Sequence, residues 1–266
     1  MFDFAGLSET GPVREDNQDS YYLPELASTA GVGPIFALAD GMGGYAQGGL
    51  ASSLALKALL TAYQQNGSGK PAGALKRGVE MANNSVCAEA SKLGVSRMGT
   101  TLTAGAIYGS TLYVAHVGDS RAYLVRGGKA EILTQDHTVV GDLLRMKVIK
   151  PEQVRTHARR SILTKAIGMA LFVQPDIFSV ELQAGDRIVL CTDGCWAAIE
   201  DEALTQLTSC AASAEEICQS LVKHALDEGS DDNISVVAVH VLALAPAPEN
   251  GSAKQAGWLS RLFGTR

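Results

Sequence analysis

The chain has 266 residues, 46% of them hydrophobic and 19% charged, enough to bury a sizeable core without disulfides or structural metals as staples. A formal net charge of −6 argues against a general nucleic-acid or membrane binder, and the ordinary apolar fraction excludes disorder over most of the length. Five cysteines (Cys87, Cys191, Cys195, Cys210 and Cys218) are odd in number and form no C-x-x-C pair, the pattern of reduced core thiols in a cytoplasmic protein.

Short strand-like runs come first, at Phe2–Leu7, Ser20–Leu23 and Pro34–Ala39. The opening residues MFDFAGLSET carry neither a basic nor an apolar region and do not read as a signal peptide. Two helices follow, one with Ala51, Leu54, Ala55, Ala58, Leu59 and Ala62 at helical spacing, the other with Leu75, Val79, Ala82, Val86 and Leu93. A block of strands comes next, Thr100–Tyr108, Thr111–Val117, Arg121–Arg126 and Ala130–Leu133, with Gly109-Ser110 and Gly127-Gly128 where hairpin turns belong. Residues 138–170 are basic and helical in tendency. Strands resume at Ile177–Leu182 and Arg187–Cys191. Ser213-Ala-Glu-Glu216 forms a capping box for a helix to about Glu228, and Ile234–Leu244 is the last strand. The weakly polar run ending at Ala247 is too short to span a bilayer. Beyond Pro246 a Pro/Ala/Gly linker leads to a tail, Gly251–Arg266, with Lys254, Arg261 and Arg266 but no acid, and with Trp258, Leu259, Leu262 and Phe263 as an apolar stripe. This order does not alternate as βαβ, so antiparallel sheets with helices packed outside them are expected in a single domain.

Three aspartates stand immediately after apolar strands and beside glycine: Asp40 before Gly41, Asp119 after Gly118, and Asp193 before Gly194. A fourth, Asp232, precedes the last strand. Strand ends in packed sheets converge on one rim, and carboxylates gathered there repel one another unless a cation neutralises them. Oxygen-only ligation suits Mg2+ or Mn2+, and no His/Cys set has zinc spacing. For any one of these positions Asp-Gly is also an ordinary turn signal; the set together favours the metal.

Six motifs occur in order: Arg14-Glu-Asp-Asn17-Gln18-Asp19, Ala39-Asp40-Gly41-Met42-Gly43-Gly44, Gly99-Thr100-Thr101, Val117-Gly118-Asp119-Ser120-Arg121, Cys191-Thr192-Asp193-Gly194 and Asp232-Asn233-Ile234-Ser235. Over roughly residues 3–244 the series resembles the metal-dependent protein phosphatase 2C (PPM) family in its compact bacterial form. The resemblance implies an α+β, four-layer α-β-β-α sandwich, two antiparallel sheets flanked by helices, with a helical flap at about 138–170. It implies a catalytic domain over 1–245, leaving 246–266 as linker and short basic tail.

By position, the resemblance makes Asp40 the bridge between two Mn2+ or Mg2+ ions. Asp193 and Asp232 complete the first ion's protein ligands, and the Gly41 carbonyl binds the second. Asp119 with Asp193 matches a third, weaker site. Arg14 clamps the substrate phosphate, and Asp19 holds metal-bound waters. Two cations about 4 Å apart acidify a bridging water, giving direct hydroxide attack on phosphoserine or phosphothreonine. A guanidinium offers paired donors to the phosphoryl oxygens.

Two departures stand out. Gln18 replaces the Glu of many eukaryotic relatives and adds no charge, and Met42 takes the place of a His proposed there as general acid. His116 reads as a core residue, His137 as structural, and Cys191 as pointing into the core by strand alternation. The implied partners are phosphorylated proteins, products of a serine/threonine kinase, with no nucleic acid and no stable membrane insertion, for a cytoplasmic monomer. The alternatives are a metal-dependent phosphohydrolase for a small phosphoester and a catalytically inactive phosphoprotein-binding module. Between Asp142 and Lys165 seven basic residues face two acids, a formal +5 suited to steering acidic substrate segments.

Overall fold

The computed structural model describes residues 1–24, 33–43, 47–66 and 70–244. The linker and basic tail expected at 246–266, and Gly44 of the Asp40 motif, lie outside the described residues.

The strands are β1 (Phe2–Glu9), β2 (Ser20–Tyr22), β3 (Ile35–Ala39), β4 (Gly41–Gly43), β5 (Met98–Thr100), β6 (Leu102–Tyr108), β7 (Thr111–Val117), β8 (Arg121–Arg126), β9 (Lys129–Ile132), β10 (Asp176–Glu181), β11 (Arg187–Cys191) and β12 (Ile234–Val241). The helices are α1 (Gln47–Asn66), α2 (Pro71–Leu93), α3 (Val139–Arg145), α4 (Asp193–Trp196), α5 (Asp201–Cys210) and α6 (Ala214–Asp227). One five-stranded sheet has the order β1-β12-β11-β8-β9 and the other β10-β7-β6-β3-β2; β4 and β5 pair separately. Every one of these pairings is antiparallel.

The layering follows from strand alternation. In β3, Phe36 and Leu38 face the second sheet, meeting Leu190, Val237 and Val239 in an apolar layer between the sheets. Ile35, Ala37 and Ala39 turn the other way, onto Leu59 and Ala55 of α1 and Leu75 and Val79 of α2. In β12, Val237, Val239 and Val241 point between the sheets while Ile234, Val236 and Ala238 pack beneath Ile217 and Leu221 of α6. Both faces of these strands are covered, which is why β3 reads as an unbroken apolar run and β12 as one interrupted at Ser235 and His240 rather than as an alternating strand. The four-layer sandwich is therefore present, with α1 and α2 on one outer face and α4, α5 and α6 on the other.

Several local expectations change. The strand expected from Thr100 to Tyr108 is two, broken at Thr101, because the Thr101 N–H leaves the ladder to donate to the Asp40 carbonyl at 2.8 Å. The last strand stops at Val241, and Leu93 is exposed rather than part of the buried face of α2. The segment 138–170 is far less helical than its composition suggests: α3, capped by the Thr138 hydroxyl, and a 3-10 turn at Pro151–Gln153 are its regular elements, and the rest is turns and bridges. The capping box at α6 is half formed. Ser213 Oγ accepts from the Glu216 N–H at 3.2 Å, but the Glu216 carboxylate takes the Ala212 N–H instead of that of Ser213. No helix among the described residues is long and apolar enough to cross a membrane.

Candidate active site

Asp40 follows β3 and Asp119 follows β7, both in one sheet, while Asp193 follows β11 and Asp232 precedes β12 in the other. The topology puts all four strand ends at the same rim, where a cleft of about 590 Å3 is lined by Asp40, Gly41, Asp119, Asp193, Asp232 and Arg14. Gln18, Met42, Thr101, Asn233 and two residues of the 138–170 segment, Ser161 and Leu163, complete much of the wall. Asp19, half-buried with its Oδ1 fully enclosed, is not among the residues that line it.

Two threonine hydroxyls hold the backbone of Asp40. The Asp40 carbonyl accepts from Thr100 Oγ1 at 2.8 Å, and the Asp40 N–H donates to Thr101 Oγ1 at 2.9 Å. The turn after Asp40 abuts the start of α1: a Cβ on Gly41 would sit 2.2 Å from the Gly48 carbonyl, so no side chain fits there. Asp193 opens α4, where the helix N-terminus favours a negative charge. The Trp196 indole N–H donates to the Asp119 carbonyl at 2.9 Å. Thr192 Oγ1 donates to Asp19 Oδ2 at 3.1 Å, whereas Asp19 Oδ1, buried, has no hydrogen-bond partner.

Burial raises the pKa of Asp19, Asp40, Asp119 and Asp193, and repulsion from neighbouring carboxylates adds to it. Asp19 is pushed up to about 7, with Asp193 and Asp232 reinforcing the burial, and Asp193 to about 6, with Asp232 its nearest opponent. Asp40 and Asp119 are held well above the usual carboxylate range by the same causes. Among the described residues no three His, Cys, Asp or Glu side chains close into a ready ion cage; carboxylates that repel one another ring the cleft instead. The donor set nonetheless fits hard divalent cations. It is all oxygen, it concentrates negative charge under low dielectric, and Asp19 Oδ1 is an acceptor still lacking a donor such as an ordered water.

Arg14 is at the rim, more than half exposed, and its Nη2 donates to Asp232 Oδ2 at 2.7 Å. The expected phosphate clamp is thus joined to an expected metal ligand. Gln18 and Met42 both border the cleft, but among the described residues no histidine does. His116 and His137 are buried and stacked, ring centroids 5.0 Å apart, and Cys191 lies in the core under α4 and α6. The sequence reading assigned no role to Thr101, Thr192, Asn233, Ser161 or Leu163. The first three sit one position from, or pair with, the aspartate motifs; the last two come from far along the chain and carry no local signal.

The basic segment also looks different in three dimensions. Arg155 donates to the carbonyls of Trp196 and Ile199 and to Asp201, Arg145 to Asp142, and Lys165 to Asp176. Three of its seven cations are therefore scaffold, while Arg160 borders the groove that continues the cleft past Arg14, Gly194 and Asp231.

Residues 13–231 match the family model described as protein phosphatase 2C. The chain is 35% identical over 240 residues to the serine/threonine protein phosphatase PstP of Mycobacterium tuberculosis, covering 90% of this chain and 45% of that protein. It is thus about half as long as these mycobacterial relatives. It is 31% identical over 237 residues to the serine/threonine phosphatase stp of Listeria welshimeri, covering 87% of this chain and 93% of that one. The crystal structure of the PstP catalytic domain in complex with 2 manganese ions superposes with a TM-score of 0.80 at 33% identity, over 91% of this chain and 99% of that one.

Proposed function

The chain belongs to the protein phosphatase 2C family, and we propose that it is a Mn2+- or Mg2+-dependent phosphoserine/phosphothreonine protein phosphatase. The observation that carries this reading is the rim cleft itself, where two aspartates from each sheet meet beside an arginine. Divalent cations bound there supply positive charge to the phosphoryl group and acidify attacking water.

The chain's own residues divide the work. Asp40 would be shared by two ions, Asp193 and Asp232 would complete one ligand set, and the Gly41 carbonyl would serve the other. Asp119 with Asp193 would hold a third, weaker ion. Asp19, behind them with its open Oδ1, orients water. Arg14 turns from Asp232 to the phosphoryl oxygens, offering donors in the planar fork that suits them.

Residues 1–245 form the catalytic unit and 246–266 a linker with a basic tail. Its substrates are products of a serine/threonine kinase, and it acts as a cytoplasmic monomer. Five cysteines free of disulfides support a reducing compartment. The test is hydrolysis of a phosphothreonine peptide and of an aryl phosphate in Mn2+, each with and without chelator. Chelator-sensitive release of phosphate from the peptide is the expected result. Turnover of the aryl phosphate with an inert peptide would reassign the enzyme to small phosphoesters.

A further inference from the structure

The turn that carries Asp119 is gripped from outside the cleft by a side chain the reaction does not touch. Gly118, at φ +114, leaves no room for a side chain, since a Cβ there would lie 2.6 Å from Thr101 Cβ. Its two backbone groups both go to one residue. The His137 N–H donates to the Gly118 carbonyl at 2.7 Å, and the Gly118 N–H donates to His137 Nδ1 at 3.0 Å.

That second bond fixes the ring's tautomer. Because Nδ1 accepts, the imidazole proton is on Nε2, which donates to Asp176 Oδ2 at 3.2 Å. Asp176 is held in turn by Lys165, whose Nζ donates to Oδ1 at 3.2 Å; the ammonium also stands 3.1 Å from Nε2, two donors side by side that share the one carboxylate. On its face the ring stacks on His116, itself tied to Thr103 Oγ1 at 2.9 Å and to the Gln135 carbonyl at 3.1 Å. The ring is buried and cannot swing away without breaking these contacts.

The same residue anchors the 138–170 segment. Thr164 N–H donates to the His137 carbonyl at 2.8 Å, and Val139 N–H to the Ile162 carbonyl at 2.9 Å. Leu163 lies between these two bonds and Ser161 just before them, and both line the cleft that Asp119 also lines.

We propose that His137 is a positioning residue that locks the Gly118–Asp119 turn to the base of the flap, setting where the Asp119 carboxylate stands in the cleft. The inference rests on the phosphatase reading in one respect: Asp119 must serve a divalent ion. Loss of such an outer partner weakens metal binding by about 10- to 100-fold.

The experiment is calorimetric Mn2+ titration of the full chain in wild type, Asp119→Asn, His137→Ala, His137→Asn and His137→Gln. Asp119→Asn identifies the class of site that this carboxylate serves. His137→Ala should weaken that class about tenfold or more and leave the other sites within about twofold of wild type. An Asn carries its Oδ1 close to the position of Nδ1 and should restore most of the affinity, whereas Gln reaches toward Asp176 without an acceptor for Gly118 and should not. In the metal-free protein the Gly118 amide proton should move upfield in His137→Gln but not in His137→Asn, a difference general destabilisation does not produce. If His137→Ala fails to fold, the Asn/Gln pair decides the matter. Equal affinity in the Asn and Gln variants, or equal weakening of every site, overturns the inference while leaving the phosphatase standing. A wild-type protein that binds no Mn2+ overturns the phosphatase reading first.

Discussion

Replacing Arg155 with Ala separates scaffold from steering within the basic segment. Its guanidinium donates to the Trp196 and Ile199 carbonyls, the latter at 2.7 Å, and to Asp201 Oδ1 at 2.8 Å, with the side chain 18% exposed. Truncation orphans two carbonyls at the end of α4, each costing about 1–3 kcal/mol when buried, while the Asp201 pair at the surface adds at most about 1. Water entering at the partly open side recovers some of this, leaving a net loss of about 3 kcal/mol. At about 2–4 °C per kcal/mol for a domain of this size, Tm should fall by about 6–12 °C. Trp196 also fixes the Asp119 carbonyl, so what activity is lost should be lost alike on an aryl phosphate and on a phosphoprotein. Calorimetry and parallel kcat/KM measurements check both halves. A Tm within about 2 °C of wild type, or a loss confined to the phosphoprotein, would refute the reasoning and return Arg155 to the steering surface.

Reversing Arg159 and Arg160 to Glu should do the opposite: little change in Tm, a several-fold lower kcat/KM for phosphoprotein, and weaker salt dependence of that rate, read between low and physiological ionic strength. Asp193→Asn and Asp232→Asn should each abolish Mn2+-dependent hydrolysis with the circular dichroism spectrum intact; more than a tenth of wild-type activity in both would sink their role as ligands. Arg14→Ala should raise KM for phosphopeptide about 10-fold or more without weakening Mn2+ binding, since it removes a phosphate donor and relieves Asp232 of an ion pair. Burial lowers the His116 pKa to about 4 from an ordinary 6.5, with the neighbouring His137 reinforcing the effect. The folded state therefore holds fewer protons than the unfolded one between those values, and stability present above about 6.5 is lost as pH falls toward 4, up to about 3 kcal/mol. Urea unfolding of wild type and His116→Gln across that window should show the slope in the first and a flatter line in the second.

The strands were legible because both sheets are covered on both faces, so that Ile35–Ala39 is apolar throughout and runs into Asp40, while Ile234–Val241, apolar but for Ser235 and His240, starts just after Asp232. The cleft aspartates were legible for the same reason, each marking the place where a buried strand meets the rim. Composition misled wherever a residue's partner is distant in the chain. The 138–170 segment has helix-forming residues, yet its backbone goes to bridges such as Thr138 with Leu163 and its Arg155 to the α4 turn. Helix α5, Asp201–Cys210, gave no usable period because few of its positions are buried. Nor does any local pattern reveal that Arg14 meets Asp232, 218 residues away.

Asp40 and Asp119 ride on one sheet, Asp193 and Asp232 on the other. An ion held by members of both sets would act as a clasp across the open edge of a two-leaved book whose pages are otherwise kept together by apolar contact. With like charges facing across that edge, the leaves push apart there; with cations between them, the same four residues pull the leaves shut. Occupancy of the site is then felt in the strand ends that carry the four side chains as well as in the side chains themselves. Amides near the rim ends of β3, β7, β11 and β12 should exchange with solvent more slowly as Mn2+ is added, while those at the far ends hardly change.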